Sequence, residues 1–256
     1  MRDSSDFVVE SLTCPIQVVY SDEHLVAVFK PAGLVVHRGP NTLESEPILL
    51  QTLRDQLQQF LYPVHRLDRP TAGLILMAKT PEVASKLGEM FMAQQVQKHY
   101  QALVRGSMPL ECRVDRPLLH PKYFEERLTH AHPEQSATTH FRCLQRFEVP
   151  WPASGFPTAR FSLLEIRPES GRWHQIRRHL NHLGHPILGD HRHGDHRWNQ
   201  MFYHRTGIYR MLLSAMRLDF RHPQTDEPIS LLVRRGEAFD QALGCLRQEN
   251  LCQESH

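Results

Sequence analysis

Lysine is nearly missing from this 256-residue sequence: five of its 30 cationic residues are lysine (Lys30, Lys79, Lys86, Lys98 and Lys122), and the other 25 are arginine. Cysteine is sparse too. The five residues (Cys14, Cys112, Cys143, Cys245 and Cys252) are odd in number, widely spaced and never arranged as C-x-x-C. That pattern excludes a disulfide framework or a zinc knuckle and fits a reducing compartment. No apolar run approaches the roughly 18 residues needed to span a membrane. The start, MRDSSDFVVE, carries acids where a signal peptide needs cations and an apolar stretch. Together these absences lead us to expect a soluble, cytoplasmic protein. Bulk charge of one sign is also lacking, since 30 cations against 28 acids leave +2, which argues against wholesale wrapping of a polyanion.

The residues present are those of an ordinary globular protein, 40% hydrophobic and 23% charged. Their distribution is uneven. Through residue 128 acids outnumber cations 15 to 14, whereas residues 158–222 hold eleven arginines, no lysine, five acids and nine of the 18 histidines. The last third is therefore basic beneath a neutral average, and its cation is the one whose rigid fork suits phosphate.

Short β-type runs bounded by Gly, Pro or Asp predict strands at Gln17–Tyr20, Leu25–Lys30, Leu74–Lys79, His99–Val104, Thr138–Phe147, Ala159–Ile166 and Met211–Phe220. Leu50, Leu53, Leu57 and Phe60 recur at three and four and predict one helix face. Thr80 as N-cap with Pro81 in the first turn opens a second helix, with Val83, Leu87 and Met90 or Phe91 inward. A third is expected from Trp173, with Ile176, Leu180 and Leu183 on one face and a stop at Gly184, and a fourth from Gly236 to Gln248. Several strands are joined by turns too short for crossover helices. We therefore expect an α+β fold on a mixed, largely antiparallel sheet with flanking helices and loops. The expected organisation is one domain over 16–247, with an extension at 1–15 and a tail at 248–256.

Three segments can carry chemistry. In HRLDRPTAG (His65–Gly73), Asp68 sits between Arg66 and Arg69 in a turn feeding an apolar run. A cation about 4 Å away favours the ionised acid by about 4 kcal/mol at an effective dielectric near 20, although a solvated turn residue is the plainer reading. In KHYQALVRG (Lys98–Gly106), Tyr100 is either a packing residue or a platform for a nucleobase. In GRWHQIRRHL (Gly171–Leu180), Arg177 lies at the margin of the apolar face, with Arg172, Arg178 and His179 on the more exposed arc. Those cations make either a solvated basic surface or a phosphate-tracking one, with one Arg turned inward to a carboxylate.

Taken in order and spacing, these segments resemble the RluA family of pseudouridine synthases, together with DEHLVAVFKPAGLVVH (Asp22–His37), GHPILGD (Gly184–Asp190) and RMLLSAMRLDFRHP (Arg210–Pro223). The resemblance covers about residues 20–233 and implies a pseudouridine synthase catalytic domain. The matching begins too near the start to leave room for the S4-type RNA-binding domain that precedes it in many ribosomal members. HRGPNTLESEPILLQTLRDQL and GDHRHGDHRWNQ resemble the tRNA-modifying branch, implying tRNA as partner and uridine 65, where T stem meets acceptor stem, as target. By resemblance Asp68 is the catalytic carboxylate, Tyr100 lies against the flipped uracil and Arg177 compensates the charge of Asp68. Arg66, Arg69, Arg172, His174 and Arg178 are implied RNA contacts. No cofactor and no metal are implied. Whether Asp68 attacks C1′ or C6, or assists elimination to a glycal, stays open. Two positions depart from the family pattern: Ala72 stands where Ser is usual, and Ser214 where His is usual.

Three other readings compete. A ribosomal RNA substrate is the alternative within the family. HRHGDH (His191–His196) matches the H-x-H-x-D-H signature of metal-dependent hydrolases, although few residues follow it to supply further ligands. A non-catalytic RNA-binding protein is the third, and its expected mark would be loss of Asp68, Tyr100 or Arg177, all of which are present.

Overall fold

A run such as LVAVFK, apolar at every position up to its terminal lysine, cannot leave one face to water and so becomes an interior strand. The computed structural model places it there and describes residues 15–39, 42–120, 134–153 and 155–251. Most of the expected N-terminal extension and C-terminal tail, with Cys14 and Cys252, lie outside the described residues. In chain order the elements begin β1 (Val18–Ser21), β2 (Leu25–Lys30), α1 (Leu49–Leu57), β3 (Tyr62–Pro63), β4 (Ala72–Ala78) and α2 (Pro81–Met92). Next come β5 (Gln97–Arg105), β6 (Glu111–Asp115), β7 (Leu118–Leu119), β8 (Glu134–Gln135), β9 (Thr138–Val149) and β10 (Ala159–Pro168). The chain closes with α3 (Gln175–His182), α4 (His196–Thr206), β11 (Leu213–Arg221), β12 (Pro228–Leu232) and α5 (Glu237–Gln248).

Two compact units result, one of Met1–Lys98 with Leu213–Asp240, the other of His99–Leu212 with Gln241–His256. In the first, β4 pairs antiparallel with β2, from Leu25↔Ala78 to Lys30↔Gly73, and parallel with β11 at Ser214↔Ala72 and Ala215↔Gly73. All seven residues of β4 are buried. Leu74 and Leu76 meet Leu25, Val83, Leu87 and Leu218 in one core cluster, and each such large apolar side chain contributes about 1.5–3 kcal/mol on burial. In the second unit β5, β10, β9 and β6 form an antiparallel series in which Ile166 faces Tyr100. Trp151, Phe161 and Phe202 meet edge to face with centroids 5.6–6.0 Å apart and anchor its core.

The expected α+β, largely antiparallel character is observed, with β4–β11 a parallel pair. Thr80 caps α2 as predicted, its hydroxyl accepting the Val83 N–H. Structure and local expectation differ in three places. Phe60 is not on the face of α1: Gln58 turns left-handed (φ 51°) and ends the helix, leaving Phe60 72% exposed and Leu49 and Leu53 as the buried pair. The third helix starts at Gln175, two residues after Trp173. A helix not anticipated, α4, follows Asp195, whose carboxylate accepts the N–H groups of Arg197 and Trp198. No described helix is long and apolar enough to cross a membrane.

Candidate active site

Asp68, Arg66 and Arg69 belong to the first unit; Tyr100, Arg172, His174, Arg177 and Arg178 belong to the second. Asp68 lies on the loop between β3 and β4, in a turn closed by the Thr71 N–H donating to its carbonyl at 3.0 Å. The next carbonyl, Arg69 O, is gripped twice, by the Gly33 N–H at 2.9 Å and by Lys30 Nζ at 3.1 Å. Lys30 is wholly buried, and its ammonium also donates to Pro31 O and Leu34 O. Three carbonyls thus satisfy three donors, which is what makes a buried ammonium tolerable. The Arg69 side chain returns the contact, through Nε to Gly33 O and through Nη2 to Glu46 Oε1. The KPAG segment therefore matters because it fixes the main chain next to Asp68.

His65 secures the other end of the loop. Pairing of β3 with β4 stops at Pro63↔Met77, and the Leu76 N–H donates instead to His65 Nε2 at 2.9 Å. The ring stacks on Phe91 with centroids 4.5 Å apart. Burial, with Lys98 nearby, pushes its pKa down to about 3, so the imidazole is neutral, as an acceptor on Nε2 must be. Asp68 is half-buried, the preceding Leu67 is buried, and Arg66 is exposed.

Ser214 and Ala72 face each other across the β4–β11 ladder. Adjacent Gly73 has φ +115°, and a Cβ there would lie 2.2 Å from Ala215 O, so only glycine permits this approach. Ser214 is fully buried, and its Oγ meets no hydrogen-bond partner among the described residues. Ser214→Ala is therefore expected to keep stability or raise it by up to about 1 kcal/mol, and Ala72→Ser to raise it by supplying a facing hydroxyl. Melting curves decide this: a loss above about 1 kcal/mol in Ser214→Ala would mean the hydroxyl is satisfied.

In the second unit Tyr100 is half-buried on β5. Arg177, on α3, is buried and pairs with buried Asp190 through Nε to Oδ2 and Nη2 to Oδ1, both 2.8 Å. Asp190 Oδ1 also accepts the N–H groups of Arg192 and His193 at 3.0 Å. Burial works against its charge, yet the Arg177 hydrogen bonds and charge and the His193 N–H hold its carboxyl below the usual range. The sequence reading missed Asp190 as a partner, although it is one of only five acids in the arginine-rich window.

His179 corrects another expectation: it is fully buried rather than on an exposed arc, bonding Thr139 Oγ1 through Nδ1 and Arg116 O through Nε2. Gln175, one turn earlier, donates to Thr138 O and Thr139 Oγ1. These two polar residues dock α3. Arg178 is half-buried and donates to Leu119 O, while exposed Arg172 donates to Ser136 O. His174, the N-cap of α3, is left-handed (φ 51°), stacks on Trp173 at 3.9 Å, and its Nδ1 lies 2.8 Å from His193 Nε2. Burial and the surrounding Arg177, Arg192 and Arg178 push the pKa of His174 to about 2 and of His193 to about 4. In the protein alone the His174 ring is therefore neutral near pH 7.

The side chains of HRHGDH are engaged separately: His193 with His174, Asp195 with the start of α4 and with Arg105, His191 against Tyr209. Among the described residues no three potential metal ligands converge.

Comparison with known proteins adds an independent line. The family model for RNA pseudouridylate synthase matches residues 24–182 and so runs through both units. A protein of Vibrio vulnificus (strain CMCP6) named tRNA pseudouridine synthase C is 40% identical over 228 residues, covering 88% of this chain and 93% of that one. A protein of the same name from Pasteurella multocida (strain Pm70) is 43% identical over 222 residues, covering 84% and 90%. Another, from Pectobacterium carotovorum subsp. carotovorum, is 41% identical over 221 residues, but the match spans 59% of its length. Among solved structures, human RNA pseudouridylate synthase domain containing 4 superposes with a TM-score of 0.68 at 26% identity, covering 90% of this chain and 93% of that one.

Proposed function

The chain belongs to the RNA pseudouridylate synthase family, and from that premise we propose that it isomerises uridine to pseudouridine in tRNA, at uridine 65. Its similarity to proteins named tRNA pseudouridine synthase C carries the choice of tRNA. The uridine is flipped from its stack, the N1–C1′ bond breaks and a C5–C1′ bond forms, while C5 loses a proton and N1 gains one. Nothing is consumed, so no co-substrate or cofactor is called for. Asp68 is the carboxylate that assists cleavage at the sugar, as carboxylates do at other glycosidic bonds, and the clamp on Arg69 O supports this reading by fixing the backbone beside it. Tyr100 lies against the flipped base, Arg177 offsets the charge of Asp68, and Arg66 fills the emptied stack, offsetting part of the few kcal/mol of unstacking. Arg69 contributes by holding the loop, and Arg172, His174 and Arg178 contact the RNA. The catalytic domain spans 16–247, and tRNA as substrate sets its work in the cytoplasm.

Pseudouridine mapping of cellular tRNA and ribosomal RNA, with and without this protein, tests the proposal. Loss confined to tRNA, at position 65, is the expected result. A change confined to ribosomal RNA would overturn the substrate, and no change in either would overturn the activity.

A further inference from the structure

We propose that Arg192, aligned on the indole of Trp173, grips a backbone phosphate of the RNA, so that Trp173 acts as a positioning residue for that contact. The proposal deepens the reading above and rests on it for the identity of the polyanion. The main chain around Arg192 is fixed on both sides. Buried Asp190 accepts the N–H groups of Arg192 and His193, and Asp195 caps α4. A Cβ on Gly194 would lie 2.0 Å from Asp190 O, so the loop closes as tightly as a backbone can. From this rigid base the exposed Arg192 side chain lays its guanidinium 4.9 Å from the centroid of Trp173. Trp173 is itself fixed, stacked at 3.9 Å on His174, which is hydrogen-bonded to His193. Arg178 lies 5.7 Å from the same ring.

The indole is thus already occupied by an imidazole and two guanidinium groups, and it orients cations rather than offering a face to a base. The charge around it is lopsided. Arg172 adjoins Trp173 in sequence, Arg177, Arg178 and Arg192 all act on His174, and Arg116 acts on Arg178, while among the described residues Glu134 opposes them at Arg178 and Asp190, committed to Arg177, at His193. A concentration of planar, pre-oriented guanidinium groups fits phosphate oxygens, which accept bidentate donors.

The test is the affinity of the full-length protein for a tRNA transcript, measured from roughly 50 to 200 mM KCl. Arg192→Gln is expected to weaken binding about three- to tenfold near 100 mM and to reduce the slope of log affinity against log salt by about 0.7–1. Arg192→Lys should keep the slope but lose part of the affinity, because an ammonium lacks the fork. Trp173→Leu should weaken binding about threefold and Trp173→Phe should restore it, since phenyl still supports a guanidinium. An unchanged slope in Arg192→Gln overturns the clamp. So does loss of affinity in Trp173→Leu with normal behaviour of Arg192→Gln, which would signify base stacking instead. These failures are separate from failure of the functional reading, which shows as absence of pseudouridine with the wild-type protein.

Discussion

Asp68→Asn is expected to lower pseudouridine formation by on the order of a thousandfold or more while leaving tRNA affinity within about twofold of wild type. A thousandfold corresponds to about 4 kcal/mol of lost transition-state stabilisation, a normal consequence of removing a group that acts at the reacting bond. Asparagine has nearly the same shape but is neither a nucleophile nor a base. The contacts through the Asp68 and Arg69 carbonyls, the Arg69 side chain and Lys30 Nζ do not involve the substituted carboxylate and should hold the turn. Single-turnover assays on a tRNA transcript, with binding measured in parallel, separate chemistry from recognition. Turnover within tenfold of wild type would remove Asp68 from the chemistry. Loss of binding together with activity would mean that the loop had collapsed, and a melting curve would register that directly.

What the sequence made legible, and what it hid, follows from how burial is achieved. β2 was read to the residue, because an all-apolar run has one stable destination. The start of α2 was equally clear, because Thr80 and Pro81 act on their own neighbours. His179 was misplaced because helical periodicity counts only apolar residues, whereas Gln175 and His179 are buried by hydrogen bonds to Thr138, Thr139 and Arg116. α4 escaped notice for a related reason: HRWNQMFYHRT buries only Asn199 and Phe202 and shows no apolar stripe. Lys30 ends a strand, yet its ammonium crosses 39 residues of sequence to hold the loop that carries Asp68. Local signals fix elements; the partners that orient side chains at a site are set by tertiary contact.

Asp190 is the sharpest instance, and Asp190→Asn is expected to cost about 3–5 kcal/mol of stability by removing the buried carboxylate that pairs with the Arg177 guanidinium. For a chain of this size that corresponds to a fall in melting temperature of roughly 10 °C. The amide oxygen can still accept the N–H groups of Arg192 and His193, but the amide NH2 then replaces Oδ2 and meets Arg177 Nε–H donor to donor, so the loss combines the charge with one hydrogen bond. If so, Arg177→Gln combined with Asp190→Asn should be more stable than Asp190→Asn alone, because the buried guanidinium that lost this carboxylate is removed with it. The pH dependence carries its own sign. The folded carboxyl is held below its ordinary value of 3.8, so its contribution is full above that value and is lost as pH falls through the lower folded value. The gap between wild type and Asp190→Asn should therefore be full near neutrality and begin to close only as pH falls below about 3.8. Thermal unfolding from about pH 3 to 7 checks both points. A melting temperature within about 2 °C of wild type at pH 7 would show that Arg177 does not depend on this pair. Because Arg177 is also the proposed counter-charge for Asp68, the same variant should lose turnover at temperatures where it remains folded: a guanidinium no longer fixed through Nε and Nη2 is free to leave the orientation that the chemistry requires.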